Sequence, residues 1–367
     1  MKNDPVRIAV DVMGGDHAPD AILKGCLSAL PALGDRDELV LVGPRDLIED
    51  VLRERGVTDT RVVIEHAPDV IGMDESPAKA VRSKPESSIV RLARLGSEKA
   101  ERRCDVVLSA GNTGACVSAA IMHMRRLEYV HRPGIAVTFP AFHGPVVMID
   151  AGANPEPKPA HLWQYAVMAD TYAKEVLKMA APRVGLINIG SEEAKGTDLI
   201  RETRDLIRHT PGINYTGYVE GRDLFDGVVD VVVTDGFLGN TLLKMAEGLA
   251  KSLFAAIASE IIAIDPVLAL QLDPVVRQIY QKNDYHEYGG APLLGVRGAF
   301  FIAHGSSEPR TIKSAIRNCR QYVASGVNEA IVKRLAEVEA QMGSAVAGDD
   351  EDGKRRGGDQ GAARERA

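Results

Sequence analysis

The chain has 367 residues, 45% hydrophobic and 26% charged, the balance of an ordinary soluble globular protein. Its 44 Lys and Arg against 51 Asp and Glu leave a formal charge of −7, which offers no global attraction to nucleic acid. No run approaches the roughly 20 apolar residues of a membrane span, the start carries no apolar signal region, and Cys26, Cys104, Cys116 and Cys319 lack metal or disulfide spacing, as expected for a reducing cytoplasm.

One pattern recurs six times along the chain: a short apolar strand, a Gly- and Asn-rich polar loop, then a helix. Arg7–Val12 leads into Met13-Gly14-Gly15-Asp16-His17, and Asp105–Ser109 into Ala110-Gly111-Asn112-Thr113-Gly114. Val146–Asp150 leads into Ala151-Gly152-Ala153-Asn154, and Val184–Asn188 into Ile189-Gly190-Ser191-Glu192. Val228–Thr234 leads into Asp235–Asn240, and Ala299–Ala303 into His304-Gly305-Ser306-Ser307. Continuous apolar strands bounded by turn residues are expected in a parallel sheet covered on both faces. The loops at the carboxyl ends of such strands build the ligand crevice, where glycines admit close backbone approach and helix N-termini favour anions.

Between Asn240 and Tyr285 the strand rhythm stops. Thr241–Ile264 is helical by period, with Leu242, Leu243, Met245, Ala246, Leu249, Leu253, Ile257, Ile261 and Ile262 at three- and four-residue steps. Asp265-Pro266 breaks it, Val267–Leu272 follows, and Asp273-Pro274 precedes a second helix expected from Val275 to Asn283. The spacing predicts a helical hairpin over about 241–284. Its apolar tip, with Ile261, Ile262, Ile264, Val267, Leu268, Leu270 and Leu272, is either a buried helix pair or a dimer contact and a surface that touches lipid. From residue 343 to 367 the sequence is charged and aperiodic, and we expect a disordered tail.

No loop has the Gly-x-x-x-x-Gly-Lys-Ser/Thr of an ATP site or the Gly-x-Gly-x-x-Gly of a dinucleotide site. A Gly-x-Ser-x-Gly elbow is also missing. Cys116 opens a helix, where a thiolate is favoured, yet its neighbours Ala115, Val117 and Ala119 fit a packed structural cysteine. Direct attack by a bound small anion suits these loops better, and it needs cations, amides and donors for a developing oxyanion. Lys195 stands between a strand end and the helix expected at Thr197, able to neutralise a phosphate or simply to be solvated. Asn240 either caps the following helix or donates to a carbonyl oxygen. Gly14, Gly15, Thr113 and Gly114 supply loop amides; His17, Asn112, Asn154, Lys158 and His304 lie in comparable loops.

The ordered segments AVDVMGGDHAP (9–19), SAGNTGA (109–115), DAGANPEPKPAHL (150–162), INIGSEEAKG (187–196), TDGFLGN (234–240), EYGGAPLLGV (287–296) and IAHGSS (302–307) resemble the PlsX-type phosphate acyltransferases of bacterial phospholipid synthesis. The resemblance covers about Val6 to Ala340. It implies a three-layer αβα sandwich similar to isocitrate and isopropylmalate dehydrogenases and to phosphotransacetylases, within one phosphate acyltransferase domain over 1–342. It implies transfer of a fatty acyl group from acyl carrier protein to inorganic phosphate, with no organic cofactor and no metal. The acyl phosphate would feed a membrane glycerol-3-phosphate acyltransferase. Family resemblance also implies a cytoplasmic homodimer held peripherally on a lipid surface by the hairpin tip, and assigns phosphate and thioester activation to Lys195 and Asn240. Two departures stand out: Cys116 occupies a position usually aliphatic in the family, and the tip carries two Asp-Pro steps and few lysines. An acidic carrier protein calls for a local basic dock, and Lys79, Arg82, Lys84, Arg91 and Arg94 form one such cluster, with Arg277 and Lys282 as the other option. A phosphotransacetylase acting on short acyl-CoA and a non-catalytic membrane scaffold are the competing readings.

Overall fold

The structure is a computed structural model that describes residues 4–141, 143–282 and 289–341. The 343–367 segment, the end of the hairpin beyond 282 and the side chains of Arg277 and Lys282 lie outside the described residues. Among the described residues eleven strands are formed: β1 Arg7–Asp11, β2 Glu38–Gly43, β3 Val62–His66, β4 Val106–Ser109, β5 Gly134–Ala141, β6 Gly144–Ile149, β7 Arg183–Ile187, β8 Asn214–Val219, β9 Val231–Val233, β10 Ala291–Leu294 and β11 Ala299–Ile302. They make one sheet in the order β3-β2-β1-β4-β11-β10-β5-β6-β9-β7-β8.

Strand periodicity divides the core. Ile8, Val10, Leu39, Leu41, Val147, Ile149, Val231 and Val233 point to one face, under the helices Asp20–Ala29, Pro159–Glu175 and Pro309–Ser325. Ala9, Val40, Val42, Val107, Met148 and Val232 point to the other, under Ser88–Leu95 and Thr113–Ala119. A sheet whose strands are apolar on both faces needs cover on both, and the result is the three-layer αβα sandwich.

The sheet is not parallel throughout. β1, β2, β3, β4 and β11 run one way, and β6, β7, β8 and β9 are parallel among themselves. Between the groups lie three antiparallel pairings, β11 with β10, β10 with β5, and β5 with β6. Three reversals set the two halves in opposite directions. Register then decides where their ends fall. Ala291 pairs with Ile302, Leu293 with Ile135, and Ala136 with Ile149. The carboxyl end of β6 therefore lies about one residue from the level of the carboxyl end of β11, and both sets of strand-end loops open on one crevice.

The helical hairpin departs from the sequence expectation at three points. Its first helix runs over Gly236–Ile264, starting five residues earlier than the periodicity suggested. The second runs unbroken over Pro266–Lys282, absorbing Val267–Leu272 and passing through Pro274. Asp265 explains its start: its carboxylate accepts the Val267 N–H at 2.8 Å, and Pro266 takes the first helical position, where a missing N–H costs nothing. At Pro274 the ring removes only the hydrogen bond to the Leu270 carbonyl, on a helix whose neighbouring side chains are exposed to water. In the single chain this pair is not buried. Leu270 and Ile264 are 77% and 76% exposed, and Met245, Leu249, Leu253, Ile262, Val267 and Leu268 are exposed as well, with Ile261 and Leu272 half-buried.

Candidate active site

Two buried carboxylates organise the crevice, one from each half of the sheet. Asp11 ends β1 and accepts from the Ser109 hydroxyl at 2.8 Å and the Met13 N–H at 3.0 Å. These bonds tie the loop after β1 to the loop after β4. Asp150 follows β6, wholly buried, and accepts four backbone N–H groups: Ile135 at 3.0 Å, Gly152 at 3.1 Å, Ala153 at 2.9 Å and Asn154 at 2.6 Å. Burial pushes both carboxyls above the usual carboxylate range, and the hydrogen bonds pull against it.

The Asp150 loop is the bed on which the long helix begins. Asp235 caps that helix by accepting the Leu238 N–H at 2.8 Å. Asn240 is therefore not the cap; it stands in the second turn with its amide making no bond to the described residues. Gly239 is required here, because a side chain would come within 2.0 Å of the Asp150 carbonyl oxygen. The close approach sets Asn240 beside Gly152 on the wall of a cavity of about 960 Å³. Its lining mixes polar side chains, among them Asp16, Thr113, Asn240, Lys244, Glu247 and His304, with apolar ones, among them Ile135, Val137, Pro145, Leu243, Ala291 and Ile302.

Of the sequence-expected residues, Thr113, Asn240 and His304 thus meet at one cavity. Lys195 does not line it. Its ammonium pairs with Glu192 at 2.8 Å on the half-exposed loop after β7, a loop held by Asn188, whose amide donates to the Gly190 and Lys195 carbonyls. Asn112 is committed elsewhere: it caps its helix through the Ala115 N–H and donates to the carbonyls of Gly72, Met73 and Glu75. The Asn154 amide is engaged with the Pro133 carbonyl and the Tyr165 hydroxyl. Gly14 packs on Gly111, Gly15 on Gly305 and Gly114 on Pro77, and none of the three glycines is in the cavity lining. His17 and Lys158 are exposed outside the lining, Lys158 preceding the helix Pro159–Glu175.

The basic cluster is largely neutralised: Lys84 pairs with Glu75, Arg91 with Glu65 and Glu86, and Arg94 with Glu86. Lys79 and Arg82 are exposed on the short helix Pro77–Ser83, whose first residue abuts the Gly114 loop. Cys116 is fully buried and its thiol is pushed up to about 12 by desolvation, which removes the thiolate a nucleophile needs. The site residues that sequence reasoning missed, Lys244 and Glu247, had a legible signal. With Asn240 they recur at steps of four and three, a polar stripe on an apolar helix.

The chain is thus a three-layer αβα protein whose strand-end loops gather on one crevice. Among solved structures it is similar to a phosphotransacetylase from Streptococcus pyogenes (TM-score 0.58, 15% identity, covering 88% of this chain and 95% of that one). It is also similar to the EutD phosphotransacetylase from Staphylococcus aureus (TM-score 0.56, 13% identity, covering 86% and 94%). At these identities the likeness shows the fold. The sequence model of a family described as "Fatty acid synthesis protein" matches residues 6–330. A phosphate acyltransferase of Desulfitobacterium hafniense (strain DSM 10664 / DCB-2) is 44% identical over 333 residues, 90% of this chain and 98% of that protein. One from Clostridium perfringens (strain SM101 / Type A) is 42% identical over 319 residues, 86% and 93%. The chain belongs to the phosphate acyltransferase family, a family of acyltransferases.

Two consequences can be measured. Asp150→Ala should lower unfolding free energy by about 3 kcal/mol, since one buried N–H group and three partly buried ones lose their acceptor, at about 1–3 kcal/mol for a fully buried group and less where water can reach. Urea denaturation checks it, and an unchanged midpoint would show that the loop holds itself. Cys116→Ala should leave turnover within a few-fold of the parent; an acyl group trapped on Cys116 would show a thiol mechanism instead.

Proposed function

We propose that the chain transfers a fatty acyl group from acyl carrier protein to inorganic phosphate, producing acyl phosphate for phospholipid synthesis. The observation that carries this reading is the mixed lining of the cavity: polar side chains from the strand-end loops and the long helix that suit an anion, beside apolar side chains that suit a hydrocarbon chain. Phosphate would sit on the strand-end loops and Lys195, and its oxygen would attack the thioester carbonyl directly. The free amide of Asn240 would donate to the developing oxyanion. Lys195 reaches phosphate by leaving Glu192. That ion pair is half-exposed and worth only about 0–1 kcal/mol, so a dianion at the loop can displace it.

The carrier protein is the partner this reading requires. Lys79 and Arg82 are the cations of the expected dock without an acidic partner among the described residues, near the cavity residues Met73 and Thr113, and they suit an acidic surface. The hairpin supports peripheral attachment. No described helix is long and apolar enough to cross a membrane, yet the tip holds Ile264, Val267, Leu268 and Leu270 in the open. Burying each such side chain is worth roughly 1.5–3 kcal/mol. A homodimer presenting two tips would bind lipid with avidity and deliver acyl phosphate beside a membrane glycerol-3-phosphate acyltransferase.

The deciding assay combines purified protein, phosphate and acyl carrier thioester and follows acyl phosphate. The parent should form it, and should prefer the carrier thioester to a short acyl-CoA; the opposite preference would favour a phosphotransacetylase, and no product would leave a scaffold. In the same assay Lys195→Ala should lose at least about 100-fold, the scale of removing a charged group that binds the transition state. Near-normal turnover of the folded variant at saturating phosphate would sink the assignment. Replacing Leu268 and Leu270 with Glu should abolish co-sedimentation with anionic vesicles while solution turnover continues. Unchanged sedimentation, or unfolding, would mean that the tip is a packed element.

A further inference from the structure

The cavity lining contains a lysine that neither the sequence motifs nor the phosphate assignment uses. Asn240 and Lys244 stand one turn apart on the helix Gly236–Ile264, and both line the cavity. Side chains four residues apart on a helix are neighbours, with Cβ atoms about 5–6 Å apart, so one small ligand can touch both. The Lys244 ammonium is exposed and has no acidic partner among the described residues. Two carboxylates share the lining, Asp16 and Glu247, and neither pairs with it. Glu247 is turned to His304 instead. The Ser306 N–H donates to Nδ1 of His304 at 3.3 Å, so the neutral ring carries its proton on Nε2, which lies 3.9 Å from a Glu247 oxygen. Lys178 and Arg317 also line the cavity, but they come with the helices Pro159–Glu175 and Pro309–Ser325 on the other face of the sheet from Leu242 and Leu243 of the Lys244 helix. Lys195 pairs with Glu192 on a loop outside the lining. Lys244 is therefore the lysine beside Asn240.

Acyl transfer from a thioester to phosphate concentrates negative charge. An anionic oxygen of monohydrogenphosphate adds to the carbonyl carbon, and the C=O electron pair moves onto oxygen. The adduct carries two negative charges, one on that oxygen and one on the phosphoryl group. When the pair returns, the C–S bond breaks and sulfur leaves with the bonding electrons. The thiolate then takes a proton from water as the phosphoryl group of the acyl phosphate gives one up. An amide can donate to the first of the two charges, but it brings no charge of its own. We propose that Lys244 is a catalytic residue that holds the phosphoryl group of the attacking phosphate, one helical turn from the amide that holds the carbonyl oxygen. Its ammonium has no ion pair to give up, so its charge is available to the ligand. With Asp16 and Glu247 in the same lining, a phosphate without a cation beside it would meet like charge on two sides. The inference rests on the acyl-transfer reading above.

Steady-state kinetics with an acyl carrier thioester test it, with phosphate and thioester varied in turn. In Lys244→Gln, kcat/KM for phosphate should fall about 10- to 100-fold, the range of a lost charge-assisted hydrogen bond, while KM for the thioester stays within about threefold. Lys244→Arg keeps the charge and should recover most of that loss. Lys251 supplies the control: it is exposed on the same helix, two turns farther out and outside the lining, and Lys251→Gln should match the parent. An unchanged kcat/KM for phosphate in Lys244→Gln would leave phosphate to Lys195 and overturn the proposal. An equal loss in Lys251→Gln would make the effect a general one of helix charge, and a loss confined to KM for the thioester would make Lys244 a group that binds the donor; either result also overturns it. Failure of the parent to form acyl phosphate would instead remove the acyl-transfer reading itself. Circular dichroism separates misfolding from chemistry, and Lys244→Ala, which favours the helix, gives the same readout if the Gln variant does not fold.

Discussion

Four backbone N–H groups converge on the buried carboxylate of Asp150, and the crevice depends on that convergence. The Ile135 N–H comes from a neighbouring strand and the other three from the loop that follows Asp150 itself. One side chain therefore fixes where β6 stops, how its loop folds back and how β5 lies beside it. The first turn of the long helix then rests on this loop, close enough that Gly239 can carry no side chain. A helix seated on backbone this tightly has little freedom to slide, and so the side chains of its second and third turns have defined positions. Asp11 performs the corresponding task in the other half through Ser109 and Met13.

Two such anchors would be of no use if their loops opened in different directions. The reversal of direction across β10 and β5 could have sent them to opposite ends of the sheet. The stagger of the register prevents this, because β5 and β6 continue past the level at which β4 and β11 stop. The crevice is a consequence of antiparallel pairing in the middle of the sheet, and it lies where strand-end loops from opposed strands meet. That geometry also brings a histidine on one half within reach of a glutamate on the other.

Much of this was legible in the sequence, and the reasons for the exceptions are physical. The six apolar strands stood out because burial on both faces leaves their centres apolar, as in Val106–Leu108 and Val231–Val233. β5 and β10 did not. Gly134 and Pro140 punctuate one, and the other is four residues long with a proline. β8 reads Asn-Tyr-Thr-Gly-Tyr-Val, the mixed pattern of a half-exposed edge. Missing β5 and β10 hid the reversal, and the sheet looked parallel throughout. Within the site, Asn240 was readable from its loop, whereas its neighbours in the cavity left only the faint signal of a four-and-three polar spacing. Lys244 and Glu247 lie in a helix whose apolar period dominates, and their partner His304 is distant in sequence. Asn112 shows the opposite failing: an asparagine in a Gly-rich loop resembles a ligand, yet its amide is fully occupied by helix capping and by the 72–75 turn.

The long helix carries two different surfaces, and its length sets a relation between them. Asn240, Lys244 and Glu247 occupy its base, while Leu249, Leu253, Ile257 and Ile264 are exposed farther out. At 1.5 Å per residue, Asn240 and Ile264 are about 36 Å apart along the axis, comparable to the thickness of a bilayer core. On the proposed function, an enzyme resting on lipid by its tip would hold the crevice well above the headgroups. A fatty acyl phosphate leaving the cavity would then face water before it met lipid. The exposed apolar side chains between base and tip offer the hydrocarbon an alternative to water along that distance. Their exposure in a single chain is costly unless something covers it, and an acyl chain in transit, a lipid or a second copy of the chain would each do so. The chemistry at the base needs none of these covers. Anchoring and catalysis can therefore share one helix while responding to different substitutions.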